Sequence, residues 1–175
     1  MADRGDGLFV LVAGWPGSGK STLAAALAER LELPLLAKDE IKEALMDALG
    51  QPRTVADSQR VGQAAVLAML RVARRCPGAV LDSTWYAYAL PAARALPGTL
   101  VEVRCVLPRA VAEERYRART GHRHAGHLDE ARDDEELWGA PPPSPGLGTV
   151  IEVDTSAQVD VGRLVARLNQ MPAAR

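Results

Sequence analysis

Short apolar runs alternate with stretches of helical periodicity along most of the chain. The runs predict strands at Leu8 to Ala13, Leu33 to Ala37, Ala79 to Asp82, Leu100 to Leu107 and Val150 to Asp154. Between them the spacing of apolar positions predicts helices at Lys20 to Leu31, Asp39 to Leu49, Asp57 to Arg75, Leu90 to Leu96, Pro108 to Arg119, Asp129 to Leu137 and Asp160 to Gln170. Strands that alternate with helices favour a parallel α/β sheet, because parallel neighbours need a crossover long enough to hold a helix. No internal repeat is visible. The single low-complexity stretch, "GAPPPSPGLG" from Gly139 to Gly148, reads as a stiff surface connection into the last strand.

A length of 175 residues fits one domain with a sizeable core, so residues 1–175 are expected to form a single domain. Apolar residues make up 47% of the chain, yet no run approaches the ~20 residues of a bilayer span, and "MADRGDG" lacks the order of a signal peptide. A soluble, cytoplasmic protein with no membrane partner is the expectation. Cys76 and Cys105 form no C-x-x-C pair, and they read as small core residues in a reducing compartment. The net charge of -1 excludes a global field that would draw the protein to nucleic acid, so any polyanion site must be local. Lysine occurs only at Lys20, Lys38 and Lys42, all within or next to the two segments that carry the candidate chemistry.

The first of these segments is "GWPGSGKST", Gly14 to Thr22, which matches the Walker A or P-loop pattern G-x-x-x-x-G-K-[ST] between a buried strand and a helix. Gly14, Pro16, Gly17, Ser18 and Gly19 form the candidate phosphate loop, with backbone N–H groups turned inward and a helix N-terminus adding partial positive charge. Lys20 supplies a full charge to the β- and γ-phosphates and Ser21 is the candidate Mg2+ ligand. Thr22 caps the helix or meets the α-phosphate. The expected co-substrate is Mg·ATP, with GTP left open. Trp15 inside the loop shields the phosphates or covers the sheet edge.

Missing motifs narrow the use of that loop. No N-K-x-D guanine motif is present, and Asp82 is followed by "STWY" rather than by the D-x-x-G of a GTPase switch or the water-activating glutamate of a motor. An acceptor other than water is expected. In "LLAKDEIKEAL", Lys38, Asp39 and Lys42 gather at the start of a helix. A carboxylate there can take the proton of an attacking hydroxyl while a neighbouring cation holds the acceptor; the alternative is that Asp39 is a helix cap. Arg115 and Arg119, four apart, can project together toward one anion before Gly121 breaks the helix, or they form a solvated basic face. His122, His124 and His127 lack a second ligand cluster, which favours contact with substrate or nucleotide over zinc. Trp85, Tyr86 and Tyr88 read either as a wall of the acceptor pocket or as packing residues.

Through "GWPGSGKST", "KDEIK", "VLDST", "RYRARTGHRHAGH" and "VIEVDTS" nearly the whole chain resembles the small P-loop kinases that include polynucleotide 5′-hydroxyl kinases, gluconate-type kinases, chloramphenicol phosphotransferase and AAA_33 proteins. The resemblance implies a five-stranded parallel sheet in the order 2-3-1-4-5, flanked by helices, with ATP at the strand C-terminal ends and an arginine-bearing lid at approximately 115–140. It further implies Asp39 as general base, Arg115 and Arg119 as lid arginines near the nucleotide, and Thr155 in a loop against the base. Asp82 would orient Mg2+, directly or through water, or the cation that binds substrate. Asp39, Lys42, Asp82, Trp85, Arg123 and His124 are the acceptor-side candidates. Lys42 stands where polynucleotide kinases carry arginine and cannot grip a phosphate bidentately. The expected function is therefore ATP-dependent phosphoryl transfer to a hydroxyl of a small molecule such as a metabolite, sugar, nucleoside or antibiotic. A polynucleotide 5′-hydroxyl kinase and a nucleotide-binding regulatory module with little catalysis are the alternatives.

Overall fold

The computed structural model describes residues 7–120, 124–128, 137–138 and 146–171. One parallel sheet runs in the order β2-β3-β1-β4-β5, with β1 Gly7–Ala13, β2 Leu35–Ala37, β3 Ala79–Asp82, β4 Gly98–Val106 and β5 Thr149–Asp154. This is the order that the resemblance implied. The helices are α1 Lys20–Leu31, α2 Lys38–Leu49, α3 Val55–Ala73, α4 Leu90–Arg94, α5 Arg109–Thr120 and α6 Val161–Asn169.

β1 is the structural centre because it pairs with β3 on one side and β4 on the other. Its side chains alternate between two cores. Leu8, Val10 and Val12 pack toward Leu23 and Leu27 of α1 and Leu164 and Leu168 of α6, while Phe9 and Leu11 face Val66, Met69 and Leu70 of α3 and Ala93 of α4. A strand buried on both faces needs apolar residues at consecutive positions, which is why "LFVLVA" reads as a continuous run.

β2 begins at Leu35 rather than Leu33, because Pro34 has no N–H to give the ladder and contributes only its carbonyl, which accepts from the Val80 N–H at 2.9 Å. The expected helix from Leu90 is only five residues long and follows a 3-10 turn at Ala87–Ala89. The helix expected at Asp129 to Leu137 lies outside the described residues except for its last position, as does most of the proline-rich connection. Cys76 and Cys105 are free thiols; burial pushes Cys105 up to about 11. Among the described residues no helix is long and apolar enough to cross a membrane.

Parallel strands deliver all five following segments to one edge of the sheet. One of them is pinned to the centre: Trp85, just beyond β3, is buried and donates its indole N–H to the carbonyl of Val12 in β1 at 3.1 Å. Trp85→Phe keeps most of the packing and leaves that bond unmade, so it is expected to lower unfolding stability by about 1 kcal/mol. Urea denaturation measures this, and an unchanged midpoint would show that the bond contributes nothing.

Candidate functional site

The loop between β1 and α1 turns through residues that only glycine serves well. Gly19, the N-cap of α1, has φ 81°. Gly17 has φ +74°, and a Cβ there would lie 2.2 Å from the carbonyl oxygen of Ala112, so α5 rests directly on the loop. Lys20 Nζ donates to the Trp15 carbonyl at 2.9 Å, which holds the ammonium back over the loop. Burial pushes the Lys20 pKa down, Asp82 resists that shift and Arg119 adds to it. Burial likewise pushes the Asp82 carboxyl up, opposed by Lys20 and by a hydrogen bond from the Ser21 hydroxyl. Two opposite charges are thus held out of water beside the glycine-rich turn. Ser21 and Asp82 place oxygen donors against each other, the donor type that a hard cation such as Mg2+ takes, so these residues fit that ion.

Across the edge, α2 starts immediately after β2. Its N-cap position is Ala37, which offers no side-chain cap, so Asp39 stands within the first turn. The Asp39 carboxylate accepts from Lys38 Nζ at 2.5 Å. Lys42 is only 1% exposed, and its ammonium donates to Ser58 Oγ of α3 at 2.7 Å. Ser58 in turn donates to the carbonyl of Gly126 at 2.9 Å. The short segment His124–Leu128 is held further by two pairs with α2, His127 Nε2 to Glu43 at 2.7 Å and His124 Nε2 to Asp47 at 3.0 Å. The Gly126 N–H donates to His124 Nδ1, which fixes that nitrogen as an acceptor and puts the proton on Nε2.

These two halves line one cavity of about 680 Å³. Pro16, Gly17, Gly19, Lys20 and Ser21 border it from the loop, and Asp39, Lys42, Asp82 and Trp85 border it from the acceptor side. Gly14, Ser18, Thr22, Thr155 and His124 stand outside its lining, although Thr155 lies against Gly19. Arg123 lies outside the described residues. The two helical arginines do not converge as the sequence suggested. Arg119 borders the cavity with its guanidinium 5.5 Å from the Tyr116 ring centre, whereas Arg115 donates to the carbonyls of Thr155 and Ser156 at 2.7 and 3.0 Å. The Arg115 guanidinium bridges two consecutive carbonyls of the loop after β5, a partner that the four-residue spacing does not show.

Several lining residues were not singled out from sequence. Ser58, Gln59, Gly62, Gln63 and Val66 form one face of α3 along the cavity, and Tyr116 joins them, as does His127, which the sequence had placed near substrate or nucleotide. The face was legible in principle, since positions 58, 62 and 66 with 59 and 63 make a helical stripe of mostly small or polar residues beside the apolar positions Ala65, Met69 and Leu70.

Residues 9–137 match the family AAA_33, described as an AAA domain. The chain belongs to the AAA_33 family. An uncharacterized protein of Mycobacterium tuberculosis and its counterpart in Mycobacterium bovis are each 35% identical over 129 residues, covering 65% of this chain and 26% of theirs. This AAA_33 unit therefore corresponds to about a quarter of those relatives' length. Among solved structures, a candidate kinase from Chloroflexus aurantiacus superposes with a TM-score of 0.83 at 30% identity, over 94% of this chain and 97% of that one. The APS kinase of Mycobacterium tuberculosis gives 0.64 at 18% identity, over 95% and 99%, and a gluconokinase from Sinorhizobium meliloti gives 0.55 at 21%, over 93% and 89%. The AAA_33 chain has the P-loop kinase fold.

The raised pKa of Asp82 sets a pH dependence for the nucleotide-free, metal-free protein. A folded-state pKa above the ordinary 3.8 means that the carboxylate costs stability, a cost absent at low pH and acquired as pH rises from about 3.8 through the folded value. Asp82→Asn is expected to raise the melting temperature relative to wild type at pH 7, with the advantage disappearing toward pH 4. A loss of stability at pH 7 would show that Asp82 is instead held by its cationic partners.

Proposed function

We propose that this protein transfers the γ-phosphoryl group of ATP to a hydroxyl of a small molecule. The observation that carries this reading is that a single cavity contains both the phosphate loop and, on a separate element, the Asp39 carboxylate. Hydrolysis alone would not need the second half.

In the proposed reaction the backbone N–H groups from Gly17 to Ser21 and the Lys20 ammonium hold the β- and γ-phosphates. Mg2+, held through Ser21 and Asp82, neutralises triphosphate charge when bound. The acceptor hydroxyl oxygen forms a bond to the γ-phosphorus as the bond to the β-phosphate bridging oxygen breaks; the hydroxyl proton passes to an Asp39 oxygen, and ADP leaves. Lys38 fixes the orientation of that carboxylate. Arg119, turned into the cavity from α5, adds positive charge where the transferring group becomes most anionic. Buried Lys42, braced by Ser58, supplies a fixed cation on the acceptor side.

A screen of hydroxyl compounds for ADP release tests the reading directly. With an acceptor found, Asp39→Asn should keep the ATP dissociation constant within about twofold and lower kcat by roughly two to four orders of magnitude. Turnover near wild type would remove Asp39 from the chemistry.

The arginines should separate. Arg119→Ala is expected to lower kcat by about a hundredfold with little change in ATP affinity. Arg115→Ala, losing two bonds to backbone carbonyls, should act mainly on melting temperature and nucleotide affinity. Equal losses of kcat in the two variants would overturn that division.

A further inference from the structure

We propose that the acceptor carries a flat ring, bound against Tyr86 and Tyr88 and read by Gln59 and Gln63. This deepens the transferase reading and rests on it for the identity of the reacting hydroxyl. Tyr86 and Tyr88 leave the sheet edge after β3, one residue apart, with ring centres 6.2 Å apart and planes inclined by only 18°. They remain 53% and 38% exposed, yet both border the cavity. Two near-parallel rings left open beside a cavity form a stacking surface for a third, since aromatic faces attract flat rings in offset geometry.

The cavity wall also offers uncharged polar groups. Gln59 and Gln63, one turn apart on α3, border the same cavity with carboxamides, each of which offers two donors and an acceptor. Such groups match the mixed donor and acceptor edge of a heterocycle or a ring substituent, whereas a carboxylate or phosphate is matched better by a guanidinium fork. The Tyr88 hydroxyl, pushed up to about 12 by burial and by Tyr86, stays protonated at neutral pH. Trp85 and Val66 add apolar surface to the same cavity. Lys38 and Lys42 pass the same face of α3, their stems against Gly62, and their ammonium groups are engaged by Asp39 and Ser58, while Lys20 stays at the loop after β1.

The test uses the full chain with Mg2+ and a non-hydrolysable ATP analogue, titrated by calorimetry with uridine and adenosine as nucleosides, benzyl alcohol as an aryl alcohol, and ribose and gluconate as alcohols without a flat ring. At least one ring compound should bind ten or more times more tightly than ribose and gluconate. A nucleoside preference over benzyl alcohol identifies a heterocycle read by the glutamines, and the reverse identifies a plain aryl group. Tyr86→Ala and Tyr88→Ala should each weaken that binding about tenfold and raise the acceptor KM in step, with kcat changed less than about twofold and melting temperatures held. Tyr88→Phe should retain most of the affinity. Gluconate binding as tightly as any ring compound, no binding by any ring compound, or tyrosine variants that bind normally would each overturn the proposal. Ring binding with no ADP formed from any alcohol would remove the transferase reading and leave the ring site standing; ADP formed from gluconate alone would do the opposite.

Discussion

The cost of holding Lys20 and Asp82 out of water organises this end of the molecule. Each is pushed toward its neutral form by burial and drawn back by the other, and neither is relieved fully, because a buried pair recovers its lost hydration only with excellent geometry. In the proposed reaction that cost would make the loop receptive: a polyphosphate would bring negative charge to Lys20 and a divalent cation positive charge to Asp82, the counter-charges that the fold withholds. The rigid sheet is needed for this, since β1 and β3 run side by side and set Asp82 level with Val12, two residues before the loop begins.

The second half of the site depends on α2, which serves two purposes along its length. Its first turn presents Asp39 and Lys42, and the next positions, Glu43 and Asp47, hold His127 and His124. Lys42 joins the two through Ser58 to the Gly126 carbonyl. The segment that covers the acceptor side is therefore tied to the helix that carries the candidate base, and a displacement of one is felt by the other through three short polar contacts.

How far the chain could be read from its letters depended on the kind of physics involved. Strands buried on both faces announce themselves as apolar runs, and a phosphate loop announces itself through glycines whose backbone angles exclude other residues; both were legible. The contacts of Arg115 were not legible, because helical spacing says which side chains share a face and not which partner lies across from it, and the carbonyls of Thr155 and Ser156 come from forty residues away. Lys42 was legible as a cation near the site, but its burial and its bond to Ser58 depend on the close approach of α3, made possible by Gly62, whose missing side chain leaves room for the Lys38 and Lys42 stems. Gln59 and Gln63 look like ordinary solvated helix positions until the fold shows which face of α3 borders the cavity.

The two halves also differ in how they tolerate divergence. The proposed nucleotide end is built from backbone N–H groups, a helix terminus and three glycines, features that depend little on side chains, and chains only 18–21% identical share the fold over nearly their whole length. The acceptor end is built from side chains on α3 and on the loop after β3, where a single substitution changes shape or charge without disturbing the sheet. Similarity at that level therefore speaks for the fold alone, and the acceptor has to be argued from the particular side chains that border the cavity in this protein.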